Sequence, residues 1–171
     1  MNLSGKFITF EGIDGCGKST QAKILSEQLT FCGNKVLLTR EPGGSEGAEE
    51  IRNLLLTGNT DRWSAETEIL LFTAARRDHL ERTILPALKN GIAVICDRFS
   101  DSTRVYQGLV GGISEIEIEE LHSFCLGNFD PDLTFVLDID VEQGLLRANS
   151  RNNNENRFES KGFVFHDLVR K

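Results

Sequence analysis

Short apolar runs recur along this chain, and they predict four strands, the first of them buried. The runs lie at residues 6–10, 36–39, 92–96 and 133–137, and each contains β-branched or aromatic residues. Runs of only four or five such residues favour strands over helices, which need about ten residues or more. The chain is therefore predicted to build a sheet from short strands.

Between the strands, apolar residues recur with the 3.6-residue period of an α-helix. Ala22, Leu25 and Leu29 share one face of a helix that is predicted for residues 20–31. Gly33 follows this segment, and glycine readily adopts the left-handed conformation in which many helices end.

Capping and breaking residues mark two further helices. Ser64 can cap the start of a long helix, where Glu66 interacts favourably with the helix dipole. Pro86 lacks an amide hydrogen and should kink or interrupt that helix. Ser114 and Glu117 have the spacing of a capping box, which predicts the start of another helix.

The alternation of strands with helices sets the predicted fold class. Additional helices are predicted over residues 48–56 and from residue 163 onward. This order is typical of βαβ units with right-handed crossovers, and therefore of an α/β fold in which helices flank a parallel sheet as a three-layer αβα sandwich. A single domain over residues 1–171 is expected, because this length suits one hydrophobic core.

Composition and charge narrow the classes of function. Hydrophobic residues make up 39% of the chain, as in a globular protein, and the formal net charge is −7. A surface with 19 basic and 26 acidic side chains does not favour duplex DNA or an anionic membrane as a partner. No apolar run suits a bilayer span and residues 1–6 lack the features of a signal peptide, so a cytoplasmic location is expected.

A glycine-rich loop follows the first predicted strand and opens the first predicted helix. It matches the P-loop pattern G-x-x-x-x-G-K-[ST] at every fixed position. Its glycines allow main-chain amides to surround phosphate oxygens, and the next helix adds the positive end of its dipole. The candidate ATP-binding residues are Gly12, Ile13, Asp14, Gly15, Cys16, Gly17, Lys18, Ser19 and Thr20.

Three side chains supply the chemistry expected of a P-loop. Lys18 can reach the β- and γ-phosphates of ATP, and Ser19 can ligate Mg²⁺. Asp97 ends the third predicted strand, at the sheet edge where α/β proteins bind ligands, and its carboxylate can hold Mg²⁺ directly or through water. Lys18 and Asp97 are therefore candidate catalytic residues, and Ser19 and Asp97 are candidate metal ligands.

Arginines supply candidate groups for anions and bases. Arg98 can hold a phosphate with two parallel hydrogen bonds, and the alternative is a surface ion pair with Asp97. Arg40 and Arg76, each taken alone, are more often solvated charges. Phe72 lies one helical turn before Arg76, so a base could stack on the ring while the guanidinium bonds its edge. The spacing alone favours the alternative, a core phenylalanine beside an exposed arginine.

Five motifs, in this order, resemble those of the bacterial thymidylate kinases, a family of P-loop nucleoside monophosphate kinases. They are G-I-D-G-C-G-K-S-T at 12–20, R-E-P-G-G at 40–44, L-L-F-T-A-A-R at 70–76, D-R-F at 97–99 and S-T-x-x-Y-Q-G at 102–108. The resemblance implies a P-loop fold that transfers a phosphoryl group from ATP to dTMP, giving dTDP for dTTP synthesis. It also implies Mg²⁺ as cofactor and a homodimer, with no nucleic-acid or membrane partner.

The same resemblance implies roles for individual residues. Asp14 would contact the 3′-hydroxyl of dTMP, and Arg98 would hold the acceptor phosphate as a catalytic residue. Phe72 would stack on thymine, Arg76 would bond the base edge, and Tyr106 would lie against the sugar where a 2′-hydroxyl would protrude. The expected substrate-binding residues are Asp14, Arg40, Pro42, Phe72, Arg76, Arg98, Ser102, Thr103, Tyr106 and Gln107.

An asparagine-rich stretch at residues 149–156 is expected to belong to a mobile lid, within residues 147–160, that closes on ATP. Arg147, Arg151 and Arg157 lie in and around it, and for each the alternative is a solvated arginine in a polar loop. In the bacterial branch of the family the lid supplies an arginine that the P-loop lacks. Arg151 is the expected catalytic arginine of the lid.

The chain ends at Lys171, before the fifth strand and final helix that family members usually have. A catalytically impaired nucleotide-binding protein is therefore one alternative function, and a kinase for another nucleoside monophosphate is a second. A GTPase switch would need N-K-x-D, which residues 34–37 begin but do not complete. Tyr106 and Phe72, in their family contexts, favour dTMP.

Overall fold

A parallel β-sheet forms the centre of the molecule. The structure is a computed structural model that describes residues 3–150 and 157–171. Within them four strands occur, β1 (Phe7–Glu11), β2 (Val36–Arg40), β3 (Ala93–Asp97) and β4 (Leu133–Val136). They pair in the order β2-β3-β1-β4. The strands predicted from the apolar runs are confirmed, each to within one residue at either end.

Helices connect the strands and cover the sheet. In the described part of the chain they are α1 (Lys18–Phe31), α2 (Glu46–Leu56), α3 (Ala65–His79), α4 (Leu85–Lys89), α5 (Ser100–Thr103), α6 (Glu115–Leu126), α7 (Val141–Asn149) and α8 (Phe163–Arg170). This is the predicted α/β architecture, and it arises because parallel neighbours can be joined only by crossover connections.

The caps and breaks predicted from single residues are confirmed. Ser64 caps α3 by accepting a hydrogen bond from the amide of Thr67, and Ser114 and Glu117 form a reciprocal capping box on α6. The long helix loses its regular α-helical bonding before Pro86, because α3 passes into a π-helical turn at Leu80–Ile84 before α-helical geometry resumes in α4 at Leu85. Proline cannot donate the hydrogen bond that a continuous helix would require.

Two apolar clusters pack the two faces of the sheet. Successive side chains of a strand point to opposite faces, so Phe7 enters one cluster while Ile8 and Phe10 enter the other. The first cluster includes Leu80 and Phe99, and the second includes Ala22 of α1. A sheet between two covered faces is the three-layer arrangement. In the part of the chain that is described, no helix combines the length and apolar character needed to cross a membrane.

Strand register brings the carboxyl ends of three strands together. Phe10 of β1 and Arg40 of β2 both pair with Asp97 of β3. The strands end there in polar or charged residues, Glu11, Arg40 and Asp97. The loops that follow these strands therefore emerge side by side at one edge of the sheet.

Helix α7 crosses the loop between β1 and α1 at very short range. A Cβ atom at Gly144 would lie 2.7 Å from the carbonyl oxygen of Asp14, and one at Gly15 would lie 1.9 Å from the carbonyl oxygen of Gly144. Two glycines therefore permit a main-chain contact that side chains would prevent. This contact holds the glycine-rich loop against the second half of the chain.

We predict that Gly144→Ala destabilises the protein. Alanine should gain about 1 kcal/mol of helix propensity, but its Cβ would collide with a main-chain atom that cannot rotate away. We expect a net loss of about 1–3 kcal/mol in the free energy of unfolding, measured by urea denaturation. Gln143→Ala, on the exposed side of the same helix, should change it by less than about 0.5 kcal/mol. Equal or greater stability of Gly144→Ala would contradict the close crossing.

Candidate active site

A cleft opens at the carboxyl edge of the sheet, between the glycine-rich loop, the loop after β2, helix α3 and the segment after β3. The residues predicted from sequence that line it are Asp14, Gly15, Gly17, Lys18, Ser19, Arg40, Pro42, Phe72, Arg76, Asp97, Arg98, Ser102, Thr103, Tyr106 and Gln107. The expected substrate-binding residues thus line one cleft. Gly12, Ile13 and Cys16 of the loop, and Thr20 of α1, do not line the cleft.

Lys18 lies inside the glycine-rich loop as the first residue of α1. Its ammonium donates to the carbonyl oxygens of Gly12 at 2.9 Å and Ile13 at 2.8 Å. The preceding Gly17 has a φ of 100°, so the chain makes a turn there that a larger residue would strain. Burial and the positive charge of Arg98 lower the pKa of Lys18 below its ordinary value. The loop therefore concentrates positive charge beside its amides.

Ser19 and Asp97 meet at the mouth of that loop. The Ser19 hydroxyl donates a short hydrogen bond to Oδ2 of Asp97, across 78 positions of sequence. A hydroxyl and a carboxylate oxygen in contact are the kind of hard oxygen donors that Mg²⁺ prefers. Register alone brings Asp97 here, since β3 lies next to β1 in the sheet.

Arg98 connects three side chains in the cleft. Its guanidinium donates to Asp14 Oδ1 at 2.5 Å through Nη2 and to Ser102 Oγ at 2.9 Å through Nη1. Nη2 also lies 3.3 Å from the Tyr106 hydroxyl. Burial alone would lower the pKa of Arg98, but the nearby carboxylates of Asp14 and Glu11 outweigh burial and raise it well above the ordinary value. The arginine is a permanent, directed cation.

The main chain at Arg98 is itself unusual. Its φ of 74° lies in the left-handed region, the one such value among the non-glycine residues that the structure describes. Such a conformation costs roughly 1–3 kcal/mol and persists only where the surroundings enforce it. The Arg98 amide donates to the carbonyl of Phe10 at 2.9 Å, and this bond holds the turn at the end of the sheet.

Glu11 supports Arg98 from behind, and sequence reasoning missed it. One carboxylate oxygen accepts from the Phe99 amide at 2.7 Å, and the other accepts from the Ser102 hydroxyl at 2.6 Å. Ser102 in turn accepts from Arg98, so the carboxylate orients the guanidinium through one hydroxyl. Burial raises the pKa of Glu11 above its ordinary value. An acidic residue at the end of an apolar strand is the one signal that could have suggested it.

Asp14 and Tyr106 complete this charged group. The Tyr106 hydroxyl donates to Asp14 Oδ2 at 3.2 Å, while Arg98 binds Oδ1. Burial alone would raise the pKa of Asp14, but the charges of Arg98 and Lys18 outweigh it and lower the pKa to about 2. Burial raises the pKa of Tyr106 far above its ordinary value. Asp14 is thus an anion and Tyr106 a neutral phenol near neutral pH.

Arg76 lies deeper in the cleft and corrects an expectation from spacing. The alternative of an exposed arginine is wrong, because Arg76 is buried: Nε donates to Glu41 at 2.6 Å and Nη2 donates to the Phe99 carbonyl and Thr103 hydroxyl. Arg40, in contrast, is half exposed and pairs with Glu49 at 3.1 Å.

A buried histidine holds the carboxylate that binds Arg76. His79 lies 3.2 Å from Glu41 through Nδ1 and 2.8 Å from the Thr39 hydroxyl through Nε2. The sequence gives His79 no role, because no metal-ligand spacing links it to the other histidines, His122 and His166. The one feature of the sequence that could have suggested a role for His79 is its position one helical turn after Arg76, on the same face of α3.

Aromatic rings form one wall of the cleft. Phe72 is half buried, and its ring lies 6.0 Å from that of Phe158, which in turn lies 5.8 Å from the Tyr106 ring. The cleft residues that the sequence did not suggest include Phe158 and Glu159, which follow the asparagine-rich stretch, and Arg52 and Leu56 of α2. No local pattern distinguishes them from ordinary packing or surface residues.

The expected lid arginines have three different outcomes. Arg151 lies outside the described residues. Arg147 is exposed on α7. Arg157 is buried, and its guanidinium forms an ion pair with Glu68 at 2.5 Å. For Arg157, therefore, the alternative of a solvated arginine is wrong.

Comparison with known proteins gives one consistent result. A sequence model described as thymidylate kinase matches residues 10–171. A thymidylate kinase of Ruegeria pomeroyi is 62% identical over 162 residues, which cover 95% of this chain and 76% of that relative. One from Dinoroseobacter shibae is 57% identical over 170 residues, which cover 99% of this chain and 82% of the relative.

A solved structure also resembles the fold. The crystal structure of thymidylate kinase from Ehrlichia chaffeensis matches with a TM-score of 0.73 and 42% sequence identity. The match covers 85% of this chain and 82% of that chain. The sequence and the fold are therefore both similar to those of thymidylate kinases.

We predict that Asp14 contributes stability that is lost at acidic pH. Because its pKa of about 2 lies below that of an unfolded aspartate, the contribution is complete above about pH 4 and disappears as the pH falls toward 2. It should amount to at most about 2.5 kcal/mol, and the stability difference between parent and Asp14→Asn should widen by about 1 kcal/mol between about pH 3 and 5.

Urea denaturation at several pH values measures this difference. Asp61→Asn, which removes an exposed carboxylate outside the cleft, serves as the matched control. A stability difference between Asp14→Asn and the parent that stays constant over this pH range would show that Arg98 does not hold Asp14 ionised.

Proposed function

The chain belongs to the thymidylate kinase family and phosphorylates dTMP with ATP as the donor, and we propose that the cleft at the carboxyl edge of the sheet is where it does so. One observation carries this proposal: the P-loop lysine and Arg98 line the same cleft as the aromatic rings of Phe72 and Tyr106. Cationic groups and aromatic surfaces on one cleft suit the phosphate and base of a nucleotide.

The donor side of the cleft is proposed to be the P-loop, residues 12–20. The amides of this loop and the start of α1 can bind the phosphates of ATP. Lys18 adds a point charge beside them, held by the carbonyl oxygens of Gly12 and Ile13. A cation in this position stabilises the charge that spreads over the transferred phosphoryl group.

The acceptor side is proposed to centre on Arg98. Its guanidinium can bind the phosphate of dTMP, while Asp14 remains an anion that can accept a hydrogen bond from the 3′-hydroxyl. Phe72 would stack on thymine, with Arg76, Thr103 and Gln107 near the base edge. Arg40, Pro42 and Ser102 complete the lining on this side. Holding the acceptor oxygen in place supplies much of the rate enhancement in such transfers.

Mg²⁺ fits the donors that Ser19 and Asp97 provide. Protein sites for Mg²⁺ in phosphoryl transfer commonly use one or two side-chain oxygens together with phosphates and water. Among the residues described, no cluster of three or more His, Cys, Asp or Glu forms a metal cage. When bound, the ion would neutralise charge on the phosphates of ATP.

Three further proposals concern the setting of the reaction. A lid within residues 147–160, with Arg151 as its catalytic arginine, stays a prediction from the resemblance. A homodimer and a cytoplasmic location likewise stay predictions. None of them is needed for the roles of Lys18, Asp97 and Arg98.

We predict that Arg98→Lys impairs use of dTMP selectively. Lysine keeps the charge but cannot bind Asp14, Ser102 and a phosphate together, so the KM for dTMP should rise and kcat should fall, each by about tenfold or more. The KM for ATP should change by less than about twofold. A coupled assay of ADP release measures all three. Arg98→Ala should lose more, because Asp14 and Glu11 would be left without their cation.

Arg104→Ala is the matched control for these variants. Arg104 lies six residues further along and pairs with Glu119 and Asp101, outside the cleft. Its kinetic constants should stay within about twofold of the parent. A selective rise in the KM for ATP in Arg98→Lys would instead assign Arg98 to the donor side.

A separate prediction concerns the sugar and depends on Tyr106. Its ring is proposed to lie against C2′, where a 2′-hydroxyl would be desolvated without a partner, at a cost of roughly 1–3 kcal/mol. The enzyme should therefore prefer dTMP to its ribose counterpart by about tenfold to a hundredfold in kcat/KM. Tyr106→Ala should shrink this ratio, and Tyr106→Phe should keep most of it because the ring remains.

The ratio also separates a steric role from a packing role. If Tyr106 only supports the loop, Tyr106→Ala should lower kcat/KM for both sugars alike. An unchanged ratio in Tyr106→Ala would therefore refute the proposed exclusion of the 2′-hydroxyl.

A further inference from the structure

A second buried carboxylate lies beyond the charged group around Arg98. Glu68, in the first half of α3, has a side chain that is only 4% exposed. Its Oε1 binds Arg157 at 2.5 Å and lies 3.8 Å from the Lys161 ammonium, while its Oε2 accepts from the amide nitrogen of Gln107 at 3.0 Å. A buried charge of this kind is costly unless all its partners are present.

Arg157, the partner of Glu68, is anchored by more than the ion pair. Its Nε donates to the Asn59 carbonyl, Nη1 to that of Leu55 and Nη2 to that of Thr60, each at 3.0–3.1 Å. The guanidinium therefore connects the segment after residue 156 to the end of α2 and, through Glu68, to α3. This arrangement is specific in direction, because a guanidinium donates within one plane.

The residue next to Arg157 forms part of the acceptor side of the cleft. Phe158 packs between Phe72 and Tyr106, and the ammonium of Lys161 lies 5.0 Å from its ring centre. The main-chain carbonyl of Phe158 also lies 3.1 Å from Nε2 of His166. The bonds that anchor Arg157 therefore also position Phe158 in the aromatic wall of the cleft.

The other partner of Glu68 is a residue that lines the cleft. Gln107 is buried, and an amide side chain has two different ends, an NH₂ donor and a carbonyl acceptor. A carboxylate paired with a guanidinium can only accept hydrogen bonds. Glu68 therefore selects the orientation in which the nitrogen of Gln107 faces it and the carbonyl oxygen points away.

We propose that Glu68 is a positioning residue that determines base specificity, by fixing the amide orientation of Gln107 and by anchoring Phe158 through Arg157. This inference rests on the proposed acceptor pocket. With the amide so oriented, Gln107 offers an acceptor to the base. Thymine presents an N–H donor at N3, whereas cytosine presents an acceptor at the same position, so the arrangement favours thymine.

The test replaces the carboxylate, which only accepts hydrogen bonds, with an amide, which has both a donor and an acceptor. In Glu68→Gln the new amide can offer either its oxygen or its nitrogen, so Gln107 is free to reverse. We expect the preference for dTMP over dCMP, measured as the ratio of their dissociation constants by calorimetry, to fall by about tenfold or more. The KM for dTMP should rise, and the KM for ATP should stay within about twofold.

Two controls accompany this variant. Glu66→Gln makes the same chemical change at an exposed position of the same helix, and it should leave the preference unchanged. Glu68→Gln leaves the buried guanidinium of Arg157 without a carboxylate, and this variant could fail to fold for that reason alone. The double variant Glu68→Gln/Arg157→Met removes both charges, so the test can still be made with it. Thermal unfolding shows which of the two is folded.

The outcomes separate this inference from the proposed pocket. A loss of thymine preference confined to Glu68→Gln and Gln107→Ala supports the role of Glu68. A folded Glu68→Gln, or the double variant in its place, that keeps the parent preference while Gln107→Ala loses it would overturn the inference and leave the pocket standing. If Gln107→Ala also keeps the preference, the proposed base contact is wrong as well. Equal loss of binding for both nucleotides would mean a purely structural Glu68.

Discussion

The site depends on the hydrogen bonds and the ion pair that the largely buried guanidinium of Arg98 makes. This guanidinium joins the P-loop through Asp14, the segment after β3 through Ser102 and Tyr106, and the end of β1 through Glu11. A cation with this little solvent must be matched by anions and dipoles around it, or its burial would be prohibitively unfavourable. The same matching keeps Asp14 ionised and fixes the direction in which Arg98 can meet a phosphate.

Sheet topology makes that matching possible. Because β1 lies between β3 and β4, the P-loop after β1 and the Asp97–Arg98 turn after β3 emerge next to each other. Helix α7 then crosses the P-loop at the Gly15–Gly144 contact, which no side chain would allow. The positive φ at Arg98 is enforced by these surroundings, since strain at one residue can be offset by bonds made by its neighbours.

Among the residues that the structure describes, two buried arginines and the largely buried Arg98 have distinct surroundings and distinct consequences. Arg98 faces the acceptor side with Asp14, Arg76 is held deeper by Glu41 and His79, and Arg157 is enclosed by main-chain carbonyls and Glu68. Each carboxylate partner is itself buried or nearly so, so each pair specifies one geometry for the elements it joins. The acceptor side of the cleft is thus defined by ion pairs behind its walls as much as by the residues that line it.

Local patterns in the sequence determined the strands, the caps at Ser64 and Ser114, the break before Pro86 and the P-loop. These features depend on residues within a few positions of each other, so propensity and periodicity suffice to predict them. The family motifs further identified most of the cleft lining, from Asp14 to Gln107.

The supporting residues Glu11, Glu41, Glu68 and His79 were not predicted, although their identities are plainly visible in the chain. Their hydrogen-bond partners are 35 to 91 positions away. Only the tertiary structure decided that these groups are buried and paired, because an isolated glutamate or histidine carries no local sign of which distant donor will replace its water.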